Sequence, residues 1–221
     1  MVRAIFLTAV LAASQQAGAE SVVLSKSGLT VRVQDSPEAT RIDGDFAASS
    51  TITLRIDWLN RTPAPTDFKT AFANGIATST HTLGTTRITR TVLVSDDAVF
   101  IHFLADKPGD LSFRATLQGV ENGGTLLENR RELAWTATEK AARKARAWVI
   151  PFESDVESDG NSIVLRGEGE CLVLLDFTDT ESPAQPISTT WARISAAYDP
   201  GENPPDPVKI WQAVLAKAAA R

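Results

Sequence analysis

Alternation with a period of two is the feature that most limits what this chain can fold into. Residues 85–119 read TTRITRTVLVSDDAVFIHFLADKPGDLSFRATLQG, three runs of alternating and β-branched residues separated by two turn signals. Such a rhythm buries one face of each run and exposes the other, which is the pattern of antiparallel strands. LTVRVQ (29–34), TITLRIDWL (51–59) and GIATSTHTL (75–83) carry the same rhythm. Gly84-Thr85 supplies a turn that pairs 75–83 with 86–94 as a hairpin. Ser95-Asp96-Asp97 turns into AVFIHFLA (98–105), and Asp106-Lys107-Pro108-Gly109 turns into DLSFRATLQ (110–118). The expectation is a consecutive antiparallel meander through 75–118. SIVLRG (162–167) and CLVLLDF (171–177) flank GEGE, and Asp159-Gly160 before them is a hairpin signal. TEKAARKAR (138–146) has helical propensity but runs into the strand-like AWVIPFE. About ten strands with regular turn signals predict an all-β fold, a large antiparallel β-sandwich.

Both ends depart from this pattern. Residues 1–19 open with a basic MVR, continue with the apolar AIFLTAVLAA and finish in AGA. That order is the signature of a secretory leader cut after Ala19, and the apolar run is too short for a membrane span. The expected product is exported, to the periplasm or beyond, with no membrane attachment after cleavage. From 178 to 207 the chain is polar and proline-rich. Asp206 then fits an N-cap and Pro207 a first helical position. Val208, Trp211, Val214, Leu215 and Ala218 fall on one helical face. The organisation expected is a leader over 1–19, a sandwich domain over 20–205 and a C-terminal helix over 206–221.

The formal charge of −5 lacks the basic footprint of a nucleic-acid binder. Cys171 is the single cysteine, which excludes an internal disulfide and a cysteine-based zinc site. It reads as a small buried hydrophobe, and only His81 and His102 could serve it as an imidazole base. His102 lies mid-strand and reads as a half-buried structural histidine. ESDVESDGNS (153–162) places Asp155, Glu157 and Asp159 as a calcium loop would, but the twelfth position is Arg166, so an acidic hairpin is expected. GEGE is followed by a strand and has no third glycine, unlike a dinucleotide loop. Asp96, Asp97, Asp106 and Asp110 are carboxylates of the kind glycosidases use, yet each sits where turn chemistry calls for Asp. No catalytic residue, metal ligand or cofactor site is assigned. Of the five tryptophans, Trp58 follows Arg55 and Asp57 on one strand. The three are the candidate carbohydrate-binding residues: a flat aromatic stacks on a pyranose while polar neighbours read its hydroxyls. Core packing is the competing role for the ring.

The stretch 75–119, with TRTVLVS and HFLADKPGDLSF at its centre, resembles the N-terminal domain of glycoside hydrolase family 95, the bacterial α-L-fucosidases. SDGNSIVLRGEGECLVLLDFTDTES and DPVKIWQAVLAKAAAR resemble later parts of the same domain, the second being the helix that leads toward the family's catalytic barrel. The resemblance covers most of 50–221 and implies a super-sandwich. The family's opening glycine-asparagine run is not found between 20 and 50, and Thr91 replaces the glutamate of its TRE. Its catalytic carboxylate lies in an α/α barrel that this sequence does not contain, so none of the family's catalytic residues maps onto this chain. Two functional expectations follow. One is a non-catalytic module whose partner is a glycan, or a separate catalytic domain packing on the C-terminal helix. The other is a fragment of a split or truncated fucosidase, in which the apolar face of that helix lacks its partner surface.

Overall fold

The computed structural model describes residues 8–12, 20–26, 29–36, 39–46, 50–59, 66–73, 75–95, 98–119, 132–136, 143–179, 189–202 and 206–220. The strands are β1 (Thr8–Ala12), β2 (Glu20–Lys26), β3 (Leu29–Asp35), β4 (Ala39–Phe46), β5 (Ser50–Trp58), β6 (Thr66–Ala73), β7 (Ile76–Leu83) and β8 (Thr86–Val94). They continue with β9 (Val99–Ala105), β10 (Leu111–Gly119), β11 (Glu132–Thr136), β12 (Arg143–Pro151), β13 (Glu157–Asp159), β14 (Ser162–Glu168) and β15 (Glu170–Asp179). Two helices follow, α1 (Thr189–Tyr198) and α2 (Pro207–Ala219). The strands form two antiparallel sheets. Sheet A has the order β1-β2-β3-β4-β5-β10-β14-β13, and sheet B the order β11-β12-β15-β9-β8-β7-β6. The fold is the all-β antiparallel sandwich that the alternation predicts.

The core lies between the sheets. Alternate residues of each strand enter it: Leu54, Ile56 and Trp58 from β5, Phe113 and Ala115 from β10, Ile88 and Val92 from β8, Ile101 and Phe103 from β9. Period two makes this automatic once the register is set. Within the expected leader, β1 pairs with β2 at the edge of sheet A, so cleavage after Ala19 would leave β2 as that edge.

The meander is real up to β9 and then breaks. β7 pairs with β8 through the Gly84-Thr85 turn, and β8 with β9. The expected third partner, β10, instead crosses to sheet A and lies between β5 and β14. The free edge of β9 is taken by β15. GEGE likewise joins two sheets, carrying the chain from β14 in sheet A to β15 in sheet B. The two crossings pack on each other. Ala105 N–H donates to Gly169 O at 2.9 Å. Gly109 and Gly167 have φ of +88° and +68°, a left-handed backbone that favours glycine. A Cβ on Gly169 would stand 3.4 Å from Pro108 Cα. Glycine and proline in these turns thus serve a close meeting of two chain segments, beyond simple reversal.

Sheet B carries a second cover on its outer side. Leu93, Phe100, Trp148, Ile150, Leu172 and Leu174 point away from the sandwich core and meet Ile194 of α1 and Ile210, Trp211 and Val214 of α2. The helix over 189–198 lies inside the stretch read from sequence as polar and proline-rich; Ile194 and Tyr198 are on its packed side. The TEKAARKAR segment also differs from its propensity: Arg143–Pro151 is strand, while 137–142 lie outside the described residues. Ala145, Ala147 and Val149 fill the core and Trp148 and Ile150 the helix layer, so tertiary burial on both faces overrides helical preference.

Asp206 caps α2 as expected, accepting from Val208 N–H at 2.8 Å, with Pro207 in the first turn. Asp206 N–H in turn donates to the buried Asp199 carboxylate at 2.9 Å, which ties α2 to the end of α1. The buried face of α2 is Ile210, Trp211 and Val214; Val208, expected on it, is 39% exposed. The expectation of an apolar face without a partner surface is corrected here, since that face lies on sheet B. Replacing Trp211 by Ala is expected to cost about 3–5 kcal/mol in urea unfolding, as for other buried Trp truncations. A change within error would contradict this packing.

Candidate functional site

The three residues expected to contact sugar do not form one site. On β5, Leu54, Ile56 and Trp58 face the core while Arg55 and Asp57 face outward, as period two requires. Trp58 is 1% exposed. His81 lies against its ring at a centroid distance of 4.9 Å, Phe103 at 5.7 Å and Phe113 at 6.2 Å. No ring face remains for a pyranose, so the stacking role is corrected to core packing. Trp58→Ala should therefore lower stability by about 3–5 kcal/mol. Loss of glycan retention by a variant of unchanged melting temperature would contradict that assignment.

Arg55 and Asp57 are together as a fork. Arg55 Nε donates to both Asp57 oxygens, at 2.9 and 3.0 Å. The neighbouring strand repeats the arrangement: Arg41 Nε donates to Asp43 at 2.8 and 3.0 Å, and Thr53 Oγ1 donates to Asp43 Oδ1 at 2.6 Å. Residues i and i+2 share a face of a strand, which is why each pair meets without a turn.

The carboxylates considered for catalysis are held by local structure. Asp106 Oδ1 accepts Arg87 N–H at 2.9 Å, and Asp106 N–H donates back to Arg87 O. Asp110 accepts the Thr86 hydroxyl. Asp96 and Asp97 lie outside the described residues. In the acidic hairpin, Asp159 pairs with Arg114 at 2.5 Å and Glu157 with Arg166 at 3.3 Å. Gly160 at φ +57° closes its turn. Among the described residues no three His, Cys, Asp or Glu side chains gather as metal ligands. Nor is any described helix long and apolar enough to cross a membrane.

Cys171 is fully buried at the start of β15, and burial pushes its thiol well up, with the Glu168 carboxylate adding in the same direction. A thiol held protonated is no nucleophile. The native protein should not react with Ellman's reagent over hours, whereas denatured protein should release one equivalent of thiolate; rapid native reaction would overturn the burial.

His102 is more enclosed than a half-buried strand residue. It lies on the outer face of β9, 7% exposed, with Trp211 of α2 stacked on its ring at 4.8 Å and Phe152 at 5.9 Å. Its Nε2 is 2.6 Å from Glu170 Oε1. A carboxylate only accepts, so the imidazole donates. Burial holds its pKa below the ordinary value near 6.5, against the upward pull of Glu170. The unfolded chain therefore takes up this proton first on acidification. The stability His102 contributes is complete above pH 6.5 and is lost as pH falls through its lower folded value. His102→Gln should lose less melting temperature between pH 7 and pH 5 than the parent; an unchanged or larger drop would contradict this.

Arg90 and Glu168 are deeply buried charged residues that escaped the sequence reading. Arg90 is 2% exposed inside the sandwich, where Nη1 donates to Thr40 Oγ1 of the opposite sheet at 3.3 Å. Alternation in TRITRTV places it inward, but an inward arginine runs against the usual residue preference. Glu168 is 1% exposed and neither oxygen has a hydrogen-bond partner among the described residues. The register shift between Leu111 and Phe113 opposite β14 lies beside it, and such irregularities leave no mark in a sequence pattern.

No protein-family model matches this chain, and no curated protein matches it.

Proposed function

We propose that the chain is an exported, non-catalytic β-sandwich module, similar to the N-terminal domain of family 95 α-L-fucosidases, with a carbohydrate-associated binding or structural role. The observation that carries the reading is the placement of the resembling segments. HFLADKPGDLSF and SIVLRGEGECLVLL are two of the passages from one sheet to the other, and they pack on each other. Their sequence likeness therefore falls where a two-sheet fold is most specific. The carboxylates of the first crossing, Asp106 and Asp110, serve backbone and hydroxyl partners, which supports a scaffold role. Export rests on the leader pattern of residues 1–19. A fragment of a split fucosidase is the less supported alternative, because the apolar face of α2 already lies on sheet B.

The test is direct. Expressed with its own N-terminus in a bacterial host, the chain should appear outside the cytoplasm with Glu20 as its first residue. It should release no fucose from a chromogenic α-L-fucoside. Turnover that survives repurification and vanishes on one carboxylate substitution would overturn the non-catalytic reading. Cytoplasmic full-length protein would overturn export.

A further inference from the structure

The outer face of sheet A carries one arginine on each of five adjacent strands: Arg32 on β3, Arg41 on β4, Arg55 on β5, Arg114 on β10 and Arg166 on β14. All face outward by alternation. The registers fix their positions. Arg41 is directly opposite Arg55. Arg32 is opposite Asp43, two residues along β4 from Arg41. Arg114 is opposite Asp57, two residues along β5 from Arg55 in the other direction. Arg166 lies two residues beyond Val164, the partner of Arg114. The arginines therefore form a diagonal stripe. With strands about 4.8 Å apart and a rise of about 3.3 Å per residue, it runs roughly 25–30 Å.

Four carboxylates are set into the same stripe. Asp43 and Asp57 hold Arg41 and Arg55, while Asp159 and Glu157 hold Arg114 and Arg166. Exposed ion pairs contribute little to stability, and two arginines directly opposite on neighbouring strands oppose pairing. The lattice therefore has a weak claim as a fold element. What it does provide is a flat row of fixed donors alternating with fixed acceptors. The guanidinium side chains of Arg41 and Arg55 remain 55% and 45% exposed while their forks hold them in place. Such preorganisation lowers the cost of ordering side chains on binding.

We propose that this stripe is a binding face for an extended, neutral polyhydroxylated glycan. The proposal rests on the carbohydrate-associated reading above and locates it. A sugar hydroxyl both donates and accepts, so vicinal hydroxyls match an Arg–Asp fork at both ends. The balance of five cations by four anions is complementary to a neutral ligand, since a polyanion would meet a carboxylate beside four of the five arginines. With Trp58 in the core, the Arg–Asp forks supply polar readout at this face, and affinity should rise with oligosaccharide length until the stripe is spanned.

The test is affinity electrophoresis of the full chain through gels containing xyloglucan, galactomannan, mixed-linkage glucan or alginate. At least one neutral polysaccharide should retard the parent protein. The double variant Arg41→Ala/Arg55→Ala should bind it about tenfold more weakly, as for loss of charged hydrogen bonds. Arg55→Gln and Asp57→Asn should each weaken it less, with melting temperatures unchanged. Thr89→Ala, on the outer side of sheet B, should leave binding unaltered. Retardation that the double variant retains in full would overturn this face while leaving a carbohydrate role intact. Retardation by alginate alone, abolished by salt, would overturn the neutral ligand. No retardation in any gel would overturn both the face and the glycan-binding role.

Discussion

The β12, β15 and β9 part of sheet B is buried on both faces, and much of the rest of the molecule follows from that. Its inner side packs against sheet A and its outer side against α1 and α2. A strand in this position cannot alternate between apolar and polar, which is why VFIHFLA and CLVLLDF read as nearly continuous apolar runs. The one imidazole in the outer layer needs a partner there, and Glu170 supplies it beside the Trp211 ring. Leu104, two residues from His102 and past the cover of the helices, is 42% exposed. The helices are thus the third layer of the fold.

The second dependence is on two of the crossings between sheets, β9 to β10 and β14 to β15. A sandwich of this kind needs the chain to pass between sheets without leaving its backbone groups unpaired. Here one passage satisfies the other, through Ala105 and Gly169 and through the close approach of Gly109, Gly167 and Pro108. The turn residues fix where the chain reverses. They do not fix whether the next strand stays in the sheet it came from.

That distinction sets what the sequence made legible. The positions of β3, β5, β7 to β10, β14 and β15, the β7–β8 hairpin and the Asp206 cap followed from local chemistry, because period, turn residues and N-cap preference act over a few residues, whereas β2, β4, β6 and β11 were not marked by it. The assignment of β10 and β15 to different sheets from their neighbours depends on which free edge is available, a long-range fact. α1 was missed because a ten-residue helix in a polar, proline-rich stretch carries little amphipathic signal. The carbohydrate triplet failed for a simpler reason. Arg55, Asp57 and Trp58 are consecutive in pattern but not in parity, so the tryptophan faces the core and the fork faces solvent. Parity also gathers the five arginines, once strand order and register are known. No stretch of the sequence taken alone places Arg32, Arg55 and Arg166 on one surface.

The central structural claim is that α2 belongs to this sandwich as the cover of sheet B. Hydrogen exchange of the isolated full chain tests this most directly. Amides in α2 should be protected together with those of β9 and β15, and Trp211→Ala should speed exchange in all three. Exchange of α2 at the rate of an unstructured peptide, while β9 and β15 stay protected, would contradict the account.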